Sequence, residues 1–186
     1  MLFRSKRARP DIQPTIAVLS TRVKSPTESD WKKLIRMLEY LKGTSKLCLK
    51  LKADNPQVVK WYVDASFAVH PDYRSHTGAV MTLGKGSVIA MSKKQKLNTR
   101  SSTEAELVGS DAAATMILWT GLFMEQQGYA LSKNILFQDN KSAILLENNS
   151  KRSAGKRSRE LNVRYFFLTD QVKKGNLTIE YCLLMS

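Results

Sequence analysis

The spacing of apolar residues changes near residue 56 of the 186-residue chain. Before that point, apolar residues recur three or four positions apart over residues 30–41, which predicts an amphipathic helix capped by Ser29 or Asp30. Residues 14–23 predict a second helix that a following Ser-Pro pair closes. Residues 47–51 alternate apolar and basic side chains, which favours an edge strand. We therefore expect a short helical segment, a strand and then a domain boundary.

Beyond residue 56 the pattern predicts an α/β order. Strands of alternating polarity come first, followed by a long helix rich in Ala, Leu and Met, a buried strand, two helices and a last strand. The predicted elements cover residues 58–65, 77–83, 87–92, 104–127, 134–138, 140–148, 163–174 and 177–182. Short connections favour an antiparallel arrangement of the first three strands. The order is βββαβααβ, and Ser101 or Ser102 is the expected cap of the long helix.

Composition indicates a folded protein with an excess of basic charge. Hydrophobic residues make up 42% of the chain, and 30 Lys and Arg oppose 16 Asp and Glu, which leaves a net charge of +14. Residues 1–60 carry net +9, residues 61–150 net 0 and residues 151–186 net +5. This layout suits a site that holds carboxylates beside a polyanion, with nucleic acid as the first candidate. Ordinary surface lysines are the alternative explanation.

The cysteines and the apolar stretches indicate the cellular environment of the protein. Cys48 and Cys182 have no metal-ligand spacing, so we expect neither a disulfide framework nor a zinc site. An intracellular location, in the cytoplasm or nucleus, fits two cysteines without a disulfide pattern better than secretion does. The uncharged stretch over residues 112–124 is shorter than the roughly 20 residues of a spanning helix. We therefore expect no membrane insertion.

Three acidic residues stand out by position. Asp64 lies in the middle of an apolar strand, where a charged side chain is costly unless it is paired or bound to a cation. Glu106 lies in the first turns of the long helix, and Asp139 follows a buried strand at the end where open sheets bind ligands. Capping or a favourable helix dipole is the alternative role for Asp139 and for Glu106 or its neighbour Glu104.

Carboxylates on adjacent elements form an oxygen site that suits Mg²⁺ or Mn²⁺. If the three converge, two cations about 4 Å apart would activate a water and stabilise the leaving oxygen in phosphodiester cleavage. His70 and His76 flank a polar loop, and we expect them to be surface residues and not ligands. Trp61 and Trp119 lie within apolar runs and are expected in the core or at an interface.

Three stretches carry a family resemblance: YVDAS, RSSTEAELVG and FQDNKSAI, in this order and spacing. They resemble the ribonuclease H domain of copia-type long-terminal-repeat retrotransposon polyproteins. The front stretches RARPDIQPTIAVLSTRV and DWKKLIRMLEYLKGT look like the end of the preceding reverse transcriptase. The resemblance implies a helical thumb or connection remnant over residues 1–56. It also implies a ribonuclease H-like domain over residues 57–186, with three antiparallel strands followed by parallel strands and flanking helices.

The resemblance also implies residue roles. Asp64 matches the first-strand aspartate, Glu106 the helix glutamate, with Glu104 less favoured, and Asp139 the second aspartate. In the family these residues are catalytic and bind Mg²⁺ or Mn²⁺, and the enzyme cleaves the RNA strand of an RNA:DNA hybrid. The expected partners are such a hybrid and the remainder of a reverse transcriptase.

The chain departs from the family pattern in three ways. A fourth aspartate opens a helix after the last strand in the family, but this sequence stops at that point, so we expect a truncated domain with weak activity. Glu160 occupies the position of a family histidine. The polymerase palm is absent, which excludes DNA synthesis by this chain alone and suggests a fragment or decayed copy. An inactive nucleic-acid-binding remnant is therefore the alternative; a structural basic protein would leave the acidic positions unexplained.

Basic residues on either side of the acidic positions are candidate phosphate ligands. One group precedes the long helix and the other forms a loop near residue 155, for which a solvated loop is the alternative. The candidate nucleic-acid-binding residues are Lys93, Lys94, Lys96, Arg100, Lys151, Arg152, Lys156, Arg157 and Arg159.

Overall fold

A computed structural model describes residues 8–149 and 159–182 of the chain. From residue 58 onward, the longer strands and helices follow the predicted order βββαβααβ. The helices are α1 (Gln13–Ser20), α2 (Glu28–Gly43), α3 (Ser102–Gln126), α4 (Lys141–Asn149) and α5 (Arg159–Lys173). The strands are β1 (Lys52–Ala53), β2 (Val58–Ser66), β3 (His76–Thr82), β4 (Gly84–Lys85), β5 (Ile89–Lys94), β6 (Lys133–Gln138) and β7 (Thr178–Tyr181).

The main sheet is mixed and has five strands in the order β5-β3-β2-β6-β7. β2 pairs antiparallel with β3, and β3 with β5, while β6 pairs parallel with β2 and with β7. Parallel pairing needs a crossover of a dozen or more residues, which α3 supplies between β5 and β6. The predicted α/β class, with antiparallel strands followed by parallel ones and flanking helices, is confirmed.

The core lies between the sheet and α3. Alternate residues of β2 point to this side, and Val59, Trp61 and Val63 are at most 4% exposed. Ala113 and Ile117 of α3 are fully buried in the same cluster. By length and hydropathy alone, α3 is long enough to cross a membrane. Its packing against β2 and β3 makes it the central core helix of this fold.

The N-terminal helices form a small hairpin with its own apolar contact. Ile12, Ile16 and Met37 are buried together between α1 and α2. The cap of α2 differs from the prediction, since Thr27 is the N-cap and Asp30 completes a capping box three residues later. The side chain of Asp30 is therefore within the first turn, and neither it nor Ser29 is the cap.

α1 is tied to the edge of the main sheet by a polar contact. The Nε2 of Gln13 donates to the carbonyl of Ala90 on β5 at 3.0 Å. Gln13 is 6% exposed. A buried amide that is satisfied in this way fixes the side chain, because leaving it unpaired would cost about 1–3 kcal/mol.

Two predicted elements differ from the structure. The strand predicted over residues 47–51 is wrong: pairing begins only at Lys52, where β1 meets β4 over two residues. Leu47 and Leu51 are more than half exposed, because none of the described strands pairs with that segment. The helix predicted from residue 163 begins earlier, at Arg159. Most of the predicted basic loop, residues 151–158, lies outside the described residues.

Candidate active site

The pairing of β2 with β6 brings two aspartates to one end of the sheet. Tyr62 and Phe137 are partners in the parallel register, and their rings stack with centroids 4.9 Å apart. Asp64 and Asp139 each follow two residues later on these neighbouring strands. Because parallel strands run in the same direction, both carboxylates reach the same edge. Asp139 comes directly after the last residue of β6, as expected for a strand-end site.

Glu106 reaches this edge from the first turns of α3. Its side chain is 5% exposed, and its Oε1 accepts a hydrogen bond from the backbone amide of Ala65 at 3.1 Å. Ala65 is the residue after Asp64, so this bond places the glutamate beside the aspartate. The other oxygen, Oε2, is buried and has no hydrogen-bond partner among the described residues.

The three carboxylates form one cluster. Asp64, Glu106 and Asp139 each offer an oxygen, and these oxygens lie within 4.8 Å of one another. The burial differs from the expectation for Asp64, which is exposed, whereas Glu106 is the buried member and Asp139 is half-buried. The strand's alternation explains this, because Val63 and Ala65 face the core and Asp64 faces away.

The electrostatics of the cluster favour an added positive charge. Burial, assisted by the nearby carboxylates of Asp64 and Asp139 and opposed by the amide of Ala65, raises the pKa of Glu106 to about 8. A proton therefore occupies Glu106 near neutral pH when no cation is bound. Hard divalent cations prefer carboxylate oxygens, so a buried oxygen without a partner in an acidic cluster fits Mg²⁺ or Mn²⁺.

Glu104, the alternative to Glu106, has a different role in the structure. Its Oε2 accepts from the backbone amide of Arg100 at 2.8 Å, and its own amide donates to the side chain of Ser101. Ser101 is the N-cap of α3, as predicted. Glu104 thus completes the helix start and does not belong to the carboxylate cluster.

Asn140 links the start of α4 to the same edge. Its Oδ1 accepts from the amide of Ala143 at 3.1 Å, which caps the helix. Its Nδ2 lies 3.5 Å from the hydroxyl of Thr103 in the first turn of α3. The residue after Asp139 therefore connects the two helix starts around the cluster.

The structure describes only some of the candidate phosphate-binding residues. Lys93, Lys96 and Arg100 are exposed, while the Nζ of Lys94 lies 2.7 Å from a carboxylate oxygen of Asp72. The other candidates belong to the predicted basic loop. Lys151, Arg152, Lys156 and Arg157 lie outside the described residues, and Arg159 begins α5.

The histidines are not the surface residues that the sequence suggested. His70 is 7% exposed, and its Nε2 lies 3.0 Å from the Nδ1 of His76. The Nε2 of His76 lies 2.7 Å from the hydroxyl of Ser92 on β5. This chain of contacts holds the loop between β2 and β3 against the sheet, and the sequence carries no signal for it beyond the two imidazoles.

Solved structures define the class of fold. LC11-RNase H1, isolated from compost, superimposes with a TM-score of 0.51 at 12% identity over 68% of this chain and 84% of its own. A foamy viral protease-reverse transcriptase in complex with an RNA/DNA hybrid gives a TM-score of 0.55 at 12% identity, over 99% of this chain and 24% of its own. The protein therefore has a ribonuclease H-like fold.

Sequence relatives define the family. The Pol polyprotein of tobacco transposon TNT 1-94 is 31% identical over 172 residues, and that of Arabidopsis thaliana transposon RE2 is 32% identical over 173. Both matches cover 92% of this chain. The homologues of this chain are thus copia-type retrotransposon Pol polyproteins, and the chain has a ribonuclease H-like fold.

Other comparisons differ in extent. The chain spans only 12–13% of the length of the two transposon polyproteins. Secreted RxLR effector protein 161 of Plasmopara viticola is 32% identical over 112 residues, which is 60% of this chain and 79% of that protein. No protein-family model matches the chain.

Proposed function

We propose that this domain is a metal-dependent endonuclease that cleaves the RNA strand of RNA:DNA hybrids as part of a retrotransposon polyprotein. The observation that carries the proposal is the cluster of Asp64, Glu106 and Asp139, with oxygens within 4.8 Å of one another. Three carboxylates at a strand end are costly to hold together without a cation, since like charges disfavour ionisation. Their convergence favours a metal site over three separate structural roles.

Asp64, Glu106 and Asp139 would hold Mg²⁺ or Mn²⁺, which supplies an activated water and charge stabilisation for phosphodiester cleavage. The chain's own contribution is placement. The amide of Ala65 fixes one oxygen of Glu106 and leaves the buried Oε2 without a hydrogen-bond partner among the described residues. The exposed Asp64 keeps the site open to a large substrate.

The substrate class follows from charge and from the structural neighbours. A foamy viral reverse transcriptase of similar fold was solved with an RNA/DNA hybrid. The excess of 14 basic residues gives this chain the charge to bind a polyanion. Lys93, Lys96 and Arg100 precede α3, which carries Glu106, so phosphate contacts there would position a duplex beside the carboxylates.

Binding without turnover is the second candidate function, and the basic excess favours it independently of the carboxylates. Phosphate contacts need only positioned Lys and Arg side chains. A two-cation mechanism needs every ligand of both ions in place. A protein with the charge but without a complete metal site would bind hybrids and leave them intact.

A hybrid-cleavage assay with the 186-residue chain separates these functions. End-labelled RNA:DNA hybrid is incubated with and without Mg²⁺, using the parent, Asp139→Asn and the control Asp170→Asn. Asp170 is an exposed residue of α5 that pairs with Lys174 at 2.7 Å. The proposal predicts Mg²⁺-dependent cutting of the RNA by the parent and the control, and none by Asp139→Asn.

Binding is measured on the same three proteins by fluorescence anisotropy. Tight hybrid binding by the parent without cleavage at any Mg²⁺ or Mn²⁺ concentration would favour the binding function. Cleavage that survives in Asp139→Asn would remove the carboxylate cluster as the catalytic site.

A further inference from the structure

The Gln95 side chain bridges the sheet and the start of α3. Its Nε2 donates to the hydroxyl oxygen of Thr77 on β3 at 2.9 Å and to the backbone carbonyl of Ala105 on α3 at 2.8 Å. Gln95 is 5% exposed, and its Oε1 has no hydrogen-bond partner among the described residues. Among the described residues, all side-chain hydrogen bonds of Gln95 therefore run through Nε2.

The two residues that accept hydrogen bonds from Gln95 both lie next to a partner of the hydrogen bond between the Ala65 amide and the Glu106 carboxylate. Thr77 is the cross-strand partner of Ala65 in the antiparallel register. Ala105 is the peptide neighbour of Glu106. One side of the bridge thus fixes the strand that supplies the amide donor, and the other fixes the helix that supplies the carboxylate acceptor.

The packing around the bridge is close. A Cβ added to Gly109 on α3 would lie 3.4 Å from the Cγ2 of Thr77 and 3.5 Å from the Cβ of Ala65. The helix therefore rests on these two residues one turn beyond Glu106. Close packing sets the distance of α3 from the sheet, whereas the directional bonds of Gln95 set its rotation and its position along its axis.

We infer that Gln95 is a positioning residue that fixes the orientation of Glu106 toward Asp64 and Asp139. Gln95 touches none of the three carboxylates through a hydrogen bond; it acts through Thr77 and Ala105. The inference deepens the proposed function and rests on it for the metal-binding consequence. Residues that orient a metal ligand commonly contribute about 10- to 100-fold to metal affinity.

Gln13 offers a matched control. It is also a buried glutamine, 6% exposed, and its Nε2 also donates to a backbone carbonyl, that of Ala90 at 3.0 Å. It connects α1 to β5 and has no contact with Ala65 or Glu106 among its hydrogen bonds. Replacement of either glutamine by Met keeps the length and removes the amide, so a general loss of stability should affect both variants.

The first measurement follows the Ala65 amide in metal-free ¹⁵N-labelled full chain. In Gln95→Met we expect a changed chemical shift and faster hydrogen exchange of this amide, because its acceptor is no longer held. In Gln13→Met the amide should be as in the parent. Thr77→Val, which keeps the shape and removes one acceptor of Gln95, should show a smaller change, and Thr77→Ser, which keeps the hydroxyl, should show less still.

The second measurement is Mn²⁺ binding by isothermal titration calorimetry, with Mg²⁺-dependent hybrid cleavage alongside it. Gln95→Met should bind Mn²⁺ about 10- to 100-fold more weakly than the parent, and added Mg²⁺ should restore part of its kcat. KM for the hybrid should not change, since no phosphate ligand is lost. Gln13→Met should retain the parental Mn²⁺ affinity.

The results distinguish the positioning role of Gln95 from the proposed metal-dependent cleavage. A parental Ala65 amide in Gln95→Met, or a perturbed amide with parental Mn²⁺ affinity, would overturn the positioning role. If the parent itself neither binds Mn²⁺ nor cleaves hybrid, the proposed function fails, and the Ala65 amide alone decides whether Gln95 orients Glu106. Should Gln95→Met fail to fold, Thr77→Val against Thr77→Ser answers the same question.

Discussion

The hydroxyl of Thr169 on α5 donates a hydrogen bond to the backbone carbonyl of Glu147 on α4 at 2.7 Å. This bond joins the two helices at Glu147, whose side chain is fully buried. Neither carboxyl oxygen of Glu147 has a hydrogen-bond partner among the described residues. Burial raises the pKa of Glu147 to about 7, against the opposing effect of its polar neighbours Ser110 and Gln138.

Glu147→Gln should stabilise the protein at neutral and alkaline pH. The raised pKa means that the folded state holds a proton that the unfolded state releases near pH 4.5. The stability contributed by the neutral buried acid is complete below that pH and is lost as the pH rises through about 7. We expect urea unfolding to show that, between pH 4.5 and pH 8, the free energy of unfolding of the variant rises relative to that of the parent by about 2–3 kcal/mol.

The control for this prediction is Glu125→Gln, because Glu125 is an exposed glutamate near the end of α3. Its difference from the parent should change little over the same pH range. The buried Glu106 is present in every protein compared, so its own titration cancels. A constant difference between Glu147→Gln and the parent would show that Glu147 does not titrate in this way.

The pairing of Arg164 with Asp111 should stabilise the docking of α5 on α3. Arg164 Nη1 donates to a carboxylate oxygen of Asp111, and the two side chains are 31% and 21% exposed. Burial raises the pKa of Asp111, and Arg164 opposes that rise. Arg164→Met should therefore destabilise the fold more than Asp111→Asn does, because it leaves a half-buried carboxylate without its cation.

A double-mutant cycle of Arg164→Met and Asp111→Asn measures this pair by urea unfolding. We expect a coupling free energy of about 1 kcal/mol, within the range for residues in direct contact. Additive effects of the two substitutions would indicate that the ion pair contributes nothing to the helix contact.

The elements were largely predictable because their signals are local. The alternation in β2 and the Ala-, Leu- and Met-rich composition of α3 depend on neighbouring residues, and the structure has both elements near their predicted bounds. The strand predicted over residues 47–51 failed because a strand also needs a partner, and β4 reaches only Lys52 and Ala53. Periodicity describes one segment and carries no information about what lies beside it.

The residue types of the site were predictable from the sequence, whereas the burial and the contacts that position these residues were not. A mid-strand position indicated Asp64, a helix start Glu106 and a strand end Asp139, whereas the exposure of Asp64 and the burial of Glu106 depend on tertiary packing. Gln95 lies between two lysines, and Glu147 precedes two asparagines. A polar residue among polar neighbours gives no sequence signal for burial, so both became visible only in the fold.

Glu106→Gln and Glu104→Gln should separate the two acidic residues of the α3 start. Glu106 belongs to the carboxylate cluster, whereas Glu104 accepts from the amide of Arg100. We expect Glu106→Gln to lower Mg²⁺-dependent hybrid cleavage by at least about 100-fold, since several kcal/mol of metal stabilisation depend on its ligands. Glu104→Gln keeps a hydrogen-bond acceptor and should retain most activity. The reverse order of effects would reassign the ligand.

The contribution of each basic residue to hybrid binding should follow its free charge. Lys94 is paired with Asp72 at 2.7 Å, whereas Lys96 is exposed and has no ion pair among the described residues. Each phosphate contact lowers the slope of log affinity against log salt by about 0.9 on duplex DNA. Lys96→Ala should therefore flatten the slope by nearly the amount of one phosphate contact. Lys94→Ala should flatten it by clearly less, because Asp72 already offsets the charge of Lys94.

The same titration tests the basic residues of the predicted loop, of which Arg159 begins α5. Replacement of Lys156, Arg157 and Arg159 by Ala should flatten the slope by up to about three contacts if all of them touch phosphates. Anisotropy titrations of hybrid between about 50 and 200 mM salt give the slopes for all variants. The control Lys174→Ala removes a cation that is paired with Asp170 at the far end of α5. Equal slopes for the triple variant and this control would mean that the segment is only solvated surface.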